Sequence, residues 1–131
     1  MRRAGWLLLL AACTSELGPV EPIWGKQQCG HCAMLVSERA PSAQLVRADG
    51  ARLFFDDVGC MVAWVDREKA VPKAQWVRVG EGWAPAESAR FERTHTPMDY
   101  GFVGAKDGVD WQTVQKEVRA KNRPVAEEAV R

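Results

Sequence analysis

Ala43-Gln44-Leu45-Val46-Arg47-Ala48-Asp49-Gly50-Ala51-Arg52-Leu53-Phe54-Phe55-Asp56-Asp57 is the run that decides the fold. Ala43 to Ala48 reads as a strand. Asp49-Gly50 is a two-residue hairpin turn, because both of its central positions take positive φ. Ala51 to Phe55 returns. That register sets Val46 opposite Leu53, Leu45 opposite Phe54 and Arg47 opposite Arg52, which predicts a wet end on one face. Asp56 or Asp57 then caps a helix. Val58, Met61, Val62 and Val65 recur at helical spacing, and Cys60, Ala63 and Trp64 fill the other side. A helix apolar nearly all round is buried on more than one side. It ends near Asp66-Arg67-Glu68-Lys69, before Pro72.

Further on, Gln75 to Val79 alternates and reads as a third strand, with a turn at Gly80-Glu81-Gly82. Trp83 to Ala89 is expected to hold one helical turn, with Pro85 near its start. Phe91 to Thr94 and Gly101 to Lys106 read as strands on either side of a loop around Pro97-Met98. Asp107 or Asp110 opens a last helix with Trp111, Val114 and Val118 on one face. Leu35 to Pro41 is a loop or short strand. The order strand, strand, helix, strand, then a looser strand–helix half, predicts an α+β fold in a single small domain over 24–121, followed by a charged tail at 122–131.

The N-terminus reads differently. Arg2-Arg3, then Trp6 with Leu7 to Leu10, then Leu10-Ala11-Ala12-Cys13 follow the charged, apolar, small-residue order of a secretory signal. The segment resembles a bacterial lipobox, which makes 1–12 a signal peptide and Cys13 the lipidated first residue of the mature chain. Thr14 after the cysteine favours the outer membrane. The apolar run is too short to span a bilayer, which takes ~20 residues. Residues 13–23, with two prolines and no periodicity, read as the lipidated cysteine and a flexible tether.

The chain has 131 residues with 47% hydrophobic and 27% charged, ordinary for one globular domain. Its formal charge is +1, and loss of Arg2 and Arg3 with the signal turns that to −1. Neither value gives the clustered basic footprint of a nucleic-acid-binding protein.

Chemistry concentrates at Cys29-Gly30-His31-Cys32-Ala33-Met34, the densest run of soft donors. Cys60-Met61 and Thr96-Pro97-Met98 lie downstream. With Cys13 carrying lipid, three cysteines remain, an odd number that argues against a purely structural disulfide framework. Thiolate, thioether and imidazole ligands favour Cu(I). A methionine ligand such as Met34 needs no deprotonation, so it binds without proton competition. Met98 follows proline in a polar loop where no periodicity asks for a core residue. Cys60 is either a small buried hydrophobe or a ligand, Met61 reads as core, His31 as a loop residue near the metal, and His95 as surface.

Other readings stay open. Cys29 and Cys32 suit a disulfide. They also suit half of a zinc site, whose second half has only Cys60 and His95 on offer. Cys-Gly-His-Cys is also a redox tetrapeptide of thioredoxin-like proteins, although Gly25-Lys26-Gln27-Gln28 before it and Pro41 after it lack that fold's strand and helix.

In order and spacing these segments resemble the NosL family of copper-binding lipoproteins. The resemblance rests on the lipobox, Cys29-x-x-Cys32-x-Met34, Gln44 with Asp49-Gly50, Phe55-Asp56-Asp57 before Cys60-Met61, Trp83-x-x-Ala86, and Thr96-Pro97-Met98 with Gly101. Family members often have glycine where this chain has Ala33. The resemblance implies ββαβ-type units related to the organomercury lyase domain, and Cu(I) held by Cys29 or Cys32 with Met98. It also implies delivery of copper to nitrous oxide reductase.

The expectation is therefore a non-enzymatic Cu(I) metallochaperone of the bacterial envelope, lipid-anchored and facing the periplasm. Cys29, Cys32, Met34, Cys60 and Met98 are its candidate ligands. Its partners are a client cuproenzyme with its copper-loading proteins, and a membrane through Cys13. The alternative is a thiol–disulfide protein using Cys29 and Cys32.

Overall fold

The computed structural model of the chain describes residues 16–123. The expected signal 1–12, Cys13 and most of the tail after 122 lie outside the described residues. What is described is a small α+β domain. Strands β1 (Ala43–Val46), β2 (Arg52–Phe55), β3 (Ala74–Val79), β4 (Gly82–Pro85), β5 (Arg90–Arg93) and β6 (Phe102–Ala105) form one mixed sheet. Helix α1 (Val58–Glu68) follows β2, and α2 (Trp111–Lys121) closes the fold. The sheet order is β2-β1-β3-β6-β5, with β4 also paired to β3; only the β3–β6 pair is parallel.

The first hairpin forms in a register one residue from the expected one. Leu45 pairs with Leu53, Gln44 with Phe54 and Val46 with Arg52. The turn spans three residues rather than two: the Arg47 N–H donates to Ala51 O at 2.7 Å and the Gly50 N–H to Arg47 O at 2.9 Å. Of the two turn residues only Gly50 takes positive φ, at 89°. Glycine adopts that conformation without penalty, whereas aspartate does not. Asp49 instead stays in an ordinary turn and accepts the Ala51 N–H through Oδ1 at 3.0 Å.

Because side chains alternate along a strand, this register puts Ala43, Leu45, Phe55 and Val77 on the face that packs into the core with α1 and α2. Gln44, Arg52, Trp76, Arg78 and Trp83 share the outer face. The end expected to be wet is therefore covered: Arg52 faces Val46 rather than Arg47 and is bonded to Gln44 Oε1 at 2.7 Å.

Two other expectations shift. Trp83 to Pro85 is strand, paired with Trp76 to Arg78, and the helical turn is confined to Ala86–Ser88. Residues 16–21, expected to be free tether, lie along the outer face, where Gln44 bonds both main-chain groups of Val20. The caps of both helices and the buried face of α2 agree with the sequence reading. Asp57 caps α1, Asp110 caps α2, and Trp111, Val114 and Val118 are its buried face.

Candidate metal site

The Cys29–Met34 run is the loop of a short hairpin. The Val36 N–H donates to Gln27 O at 2.8 Å and the Cys29 N–H to Met34 O at 2.7 Å, and the Ala33 N–H closes the loop on Cys29 O at 3.2 Å. Ala33 takes the left-handed conformation, φ 65°, the backbone state that glycine adopts freely. The hairpin joins the main sheet at β2, where Cys29 bridges to Phe54 and the Gly30 N–H donates to Phe54 O at 2.8 Å. β2 leads directly into Asp56-Asp57 and α1, whose first turn carries Cys60. The Cys29–Met34 loop and the β2–α1 junction, distant in sequence, thus meet at the end of β2.

There Cys29, Cys32, Asp56 and Cys60 each present a ligand atom, and all four atoms lie within 4.8 Å of one another. Cys29, Asp56 and Cys60 are buried, and Cys32 is partly open. All three cysteines are free thiols. Asp56 was read from sequence only as a possible helix cap. Asp57 does that work, accepting the Gly59 N–H at 2.9 Å, which leaves Asp56 for the cluster. The signal was present in the doubled aspartate, since a helix needs one cap.

The electrostatics favour a cation. Asp56 Oδ1 accepts the Cys32 thiol at 3.2 Å, while Oδ2 is buried with no hydrogen-bond partner among the described residues. A buried carboxylate oxygen without a donor is costly unless positive charge sits beside it. The surroundings of Cys29 favour its thiolate form. The Cys60 thiol donates to it, main-chain N–H groups of Cys32, His31 and Asp56 add to that, and together they outweigh burial and lower its pKa from 9.0 to about 6. Burial, Asp56 and Cys29 push Cys32 up to about 12. Donation to Cys29, together with burial, raises Cys60 as well. Acidity in the cluster therefore centres on Cys29, while Cys32 and Cys60 hold their protons more tightly.

Of the other candidates, Met34 contributes its carbonyl to the loop and leaves its side chain 49% exposed. Met98 is 38% exposed, and its N–H donates to Asp57 Oδ2 at 3.0 Å. The Thr96 hydroxyl donates to the same oxygen at 2.6 Å. Asp57 thus ties the Pro97-Met98 loop to the helix that carries Cys60. His31 stands outside the cluster, its Nδ1 3.2 Å from Arg67 Nη1. His95 does not complete a zinc site with the cysteines; its side chain is 89% exposed and pairs with Asp99 at 3.4 Å. The fourth donor is Asp56.

The chain matches no family model, no curated protein and no solved structure.

Proposed function

We propose that this protein binds Cu(I) at Cys29, Cys32 and Cys60 and passes it on by ligand exchange, without catalysing a reaction. The observation that carries this reading is the convergence of three thiols and one carboxylate within 4.8 Å, with only Cys32 reaching toward solvent. Three sulfur donors favour a soft ion, and the exposed thioethers of Met34 and Met98 are soft groups that need no deprotonation to meet it. A site with a single open ligand suits transfer, because an acceptor thiol or thioether can enter at Cys32 before the buried ligands let go. On the NosL resemblance, the chain is an envelope lipoprotein anchored through Cys13, and the copper is destined for nitrous oxide reductase or a related cuproenzyme.

Anaerobic titration with Cu(I) against a competing chelator tests this. One equivalent is expected to bind tightly, to withstand excess Zn(II), and to be lost in Cys29→Ser and Cys60→Ser. Preferential retention of Zn(II), with Asp56 as fourth ligand, would replace the copper reading with a zinc site.

A second reading is favoured by the low pKa of Cys29, which makes it a nucleophile with two thiols in reach. In that case the protein exchanges disulfides. Rapid, reversible oxidation of Cys29–Cys32 by a dithiol–disulfide buffer, with no retention of Cu(I), would establish it.

A further inference from the structure

The outer face of the sheet is occupied along its length by residues 16–21, and most of its bonds go to their main chain. Arg52 donates to the carbonyls of Glu16 at 3.1 Å and Gly18 at 2.6 Å. Trp76 Nε1 donates to the carbonyl of Leu17 at 2.8 Å. The Gln44 amide accepts the Val20 N–H at 3.0 Å and donates to its carbonyl at 2.8 Å, as a neighbouring strand would. One side chain of the segment is recognised. The Glu21 carboxylate accepts Arg78 Nη1 at 2.5 Å, Trp83 Nε1 at 2.9 Å and Trp24 Nε1 at 3.3 Å.

Gln44 is fully buried and Arg78 is 4% exposed. The Arg78 guanidinium also lies 5.3 Å from the Trp83 ring centre and 5.8 Å from that of Trp24. The segment itself brings little apolar anchorage, because Leu17 and Val20 remain exposed. One buried guanidinium, that of Arg78, faces the half-exposed Glu21 carboxylate, so the face favours an acidic occupant. Contacts to backbone groups supply affinity for any extended chain, and the carboxylate pocket supplies selectivity.

We propose that the outer face is a peptide-binding groove for an extended segment bearing one carboxylate, closed in cis by residues 16–21 and open to such a segment of a partner protein when they are displaced. A tethered occupant competes at an effective concentration in the millimolar range, about what a short flexible link gives. A partner therefore enters only when the cis segment is loosened or drawn away. That segment continues through Pro22 and Ile23 into the turn at 24–27 that leads to Cys29.

The test uses the full chain with Glu21→Gln, which weakens the cis contact, and a fluorescent peptide of the sequence of residues 14–23 as the probe. Saturable binding is expected at least about tenfold tighter than to the unaltered chain, and at least about tenfold weaker for the peptide with glutamine in place of its second glutamate. Absence of binding up to millimolar peptide, or equal binding of both peptides, overturns the proposal. So does assembly of the altered chain into dimers that take no peptide, which would make a second copy the occupant. Val20→Pro removes the N–H that Gln44 accepts and offers a second route to the same exchange. If both variants unfold the chain, the segment is inseparable from the fold and the proposal fails.

Discussion

Asp56 and Cys29 divide the work of the site between them. Asp56 brings a buried carboxylate that lacks a donor on one oxygen, and Cys29 brings the most acidic of the three thiols, lowered to about 6. Asp56→Asn keeps the volume and removes the charge. It is expected to lower metal affinity about 10- to 100-fold in a competition titration while leaving the stability of the metal-free protein within about 1 kcal/mol or raising it, since the buried carboxylate oxygen without a donor is gone. Proton bookkeeping follows from the thiols. Cys29, lowered to about 6, has nothing to release at pH 7.5, whereas Cys32, raised to about 12, and Cys60, raised as well, each release one proton to a bound ion. Affinity is therefore expected to rise with pH by roughly two decades per unit above pH 6.5. Calorimetry in buffers of different ionisation enthalpy should count about two protons released per ion; a count of three would show Cys29 to be protonated. Ala33, held at φ 65° in the metal loop, carries left-handed strain. Ala33→Gly is expected to raise stability by up to about 1 kcal/mol in urea unfolding.

At the scale of elements, the decisive join is the start of α1. Its cap, Asp57, also accepts from Thr96 and Met98, so one carboxylate fastens the helix that carries Cys60 to the Pro97-Met98 loop. The next residue but one, Gly59, is where that loop's Tyr100 packs, and a Cβ there would collide with the Tyr100 ring. Replacing a helical glycine by alanine ordinarily gains about 1 kcal/mol. Here the sign is expected to reverse: Gly59→Ala should cost about 1–3 kcal/mol in urea or thermal unfolding, because the loop must move off the helix. A stabilised Gly59→Ala protein would mean that the loop is free of α1. The helix pair is further fixed by the Arg119–Asp66 fork, at 2.8 and 3.0 Å.

Across the whole molecule, the boundary of the domain lies earlier than composition suggests. Two prolines and no periodicity made residues 13–23 read as tether, yet those from 16 to 21 complete the outer face of the sheet. Starting the chain at residue 22 would strip the buried Gln44 and Arg78 of the partners that Val20 and Glu21 supply. That truncation is expected to cost about 2–4 kcal/mol, seen as a lower urea midpoint. It would also expose Trp76 and Trp83, read as a red shift in tryptophan emission.

What the sequence determined by itself were the features set by local chemistry. Helical periodicity and an aspartate cap placed α1 and α2, apolar alternation placed most of the strands, and donor type marked Cys29, Cys32, Met34, Cys60 and Met98 as candidates, of which the three cysteines meet with Asp56. Only the tertiary structure decided what depends on which segments meet. The hairpin register turned on glycine alone, and not aspartate, accepting a left-handed turn position. Asp56 became part of the site because Asp57 took the cap and because the metal loop pairs along the end of β2. Gln44 and Arg78 look like misplaced polar residues in strands until residues 16–21 cover them. Local periodicity cannot report such partners, because a buried polar side chain is explained by a contact from elsewhere in the chain rather than by its neighbours in sequence.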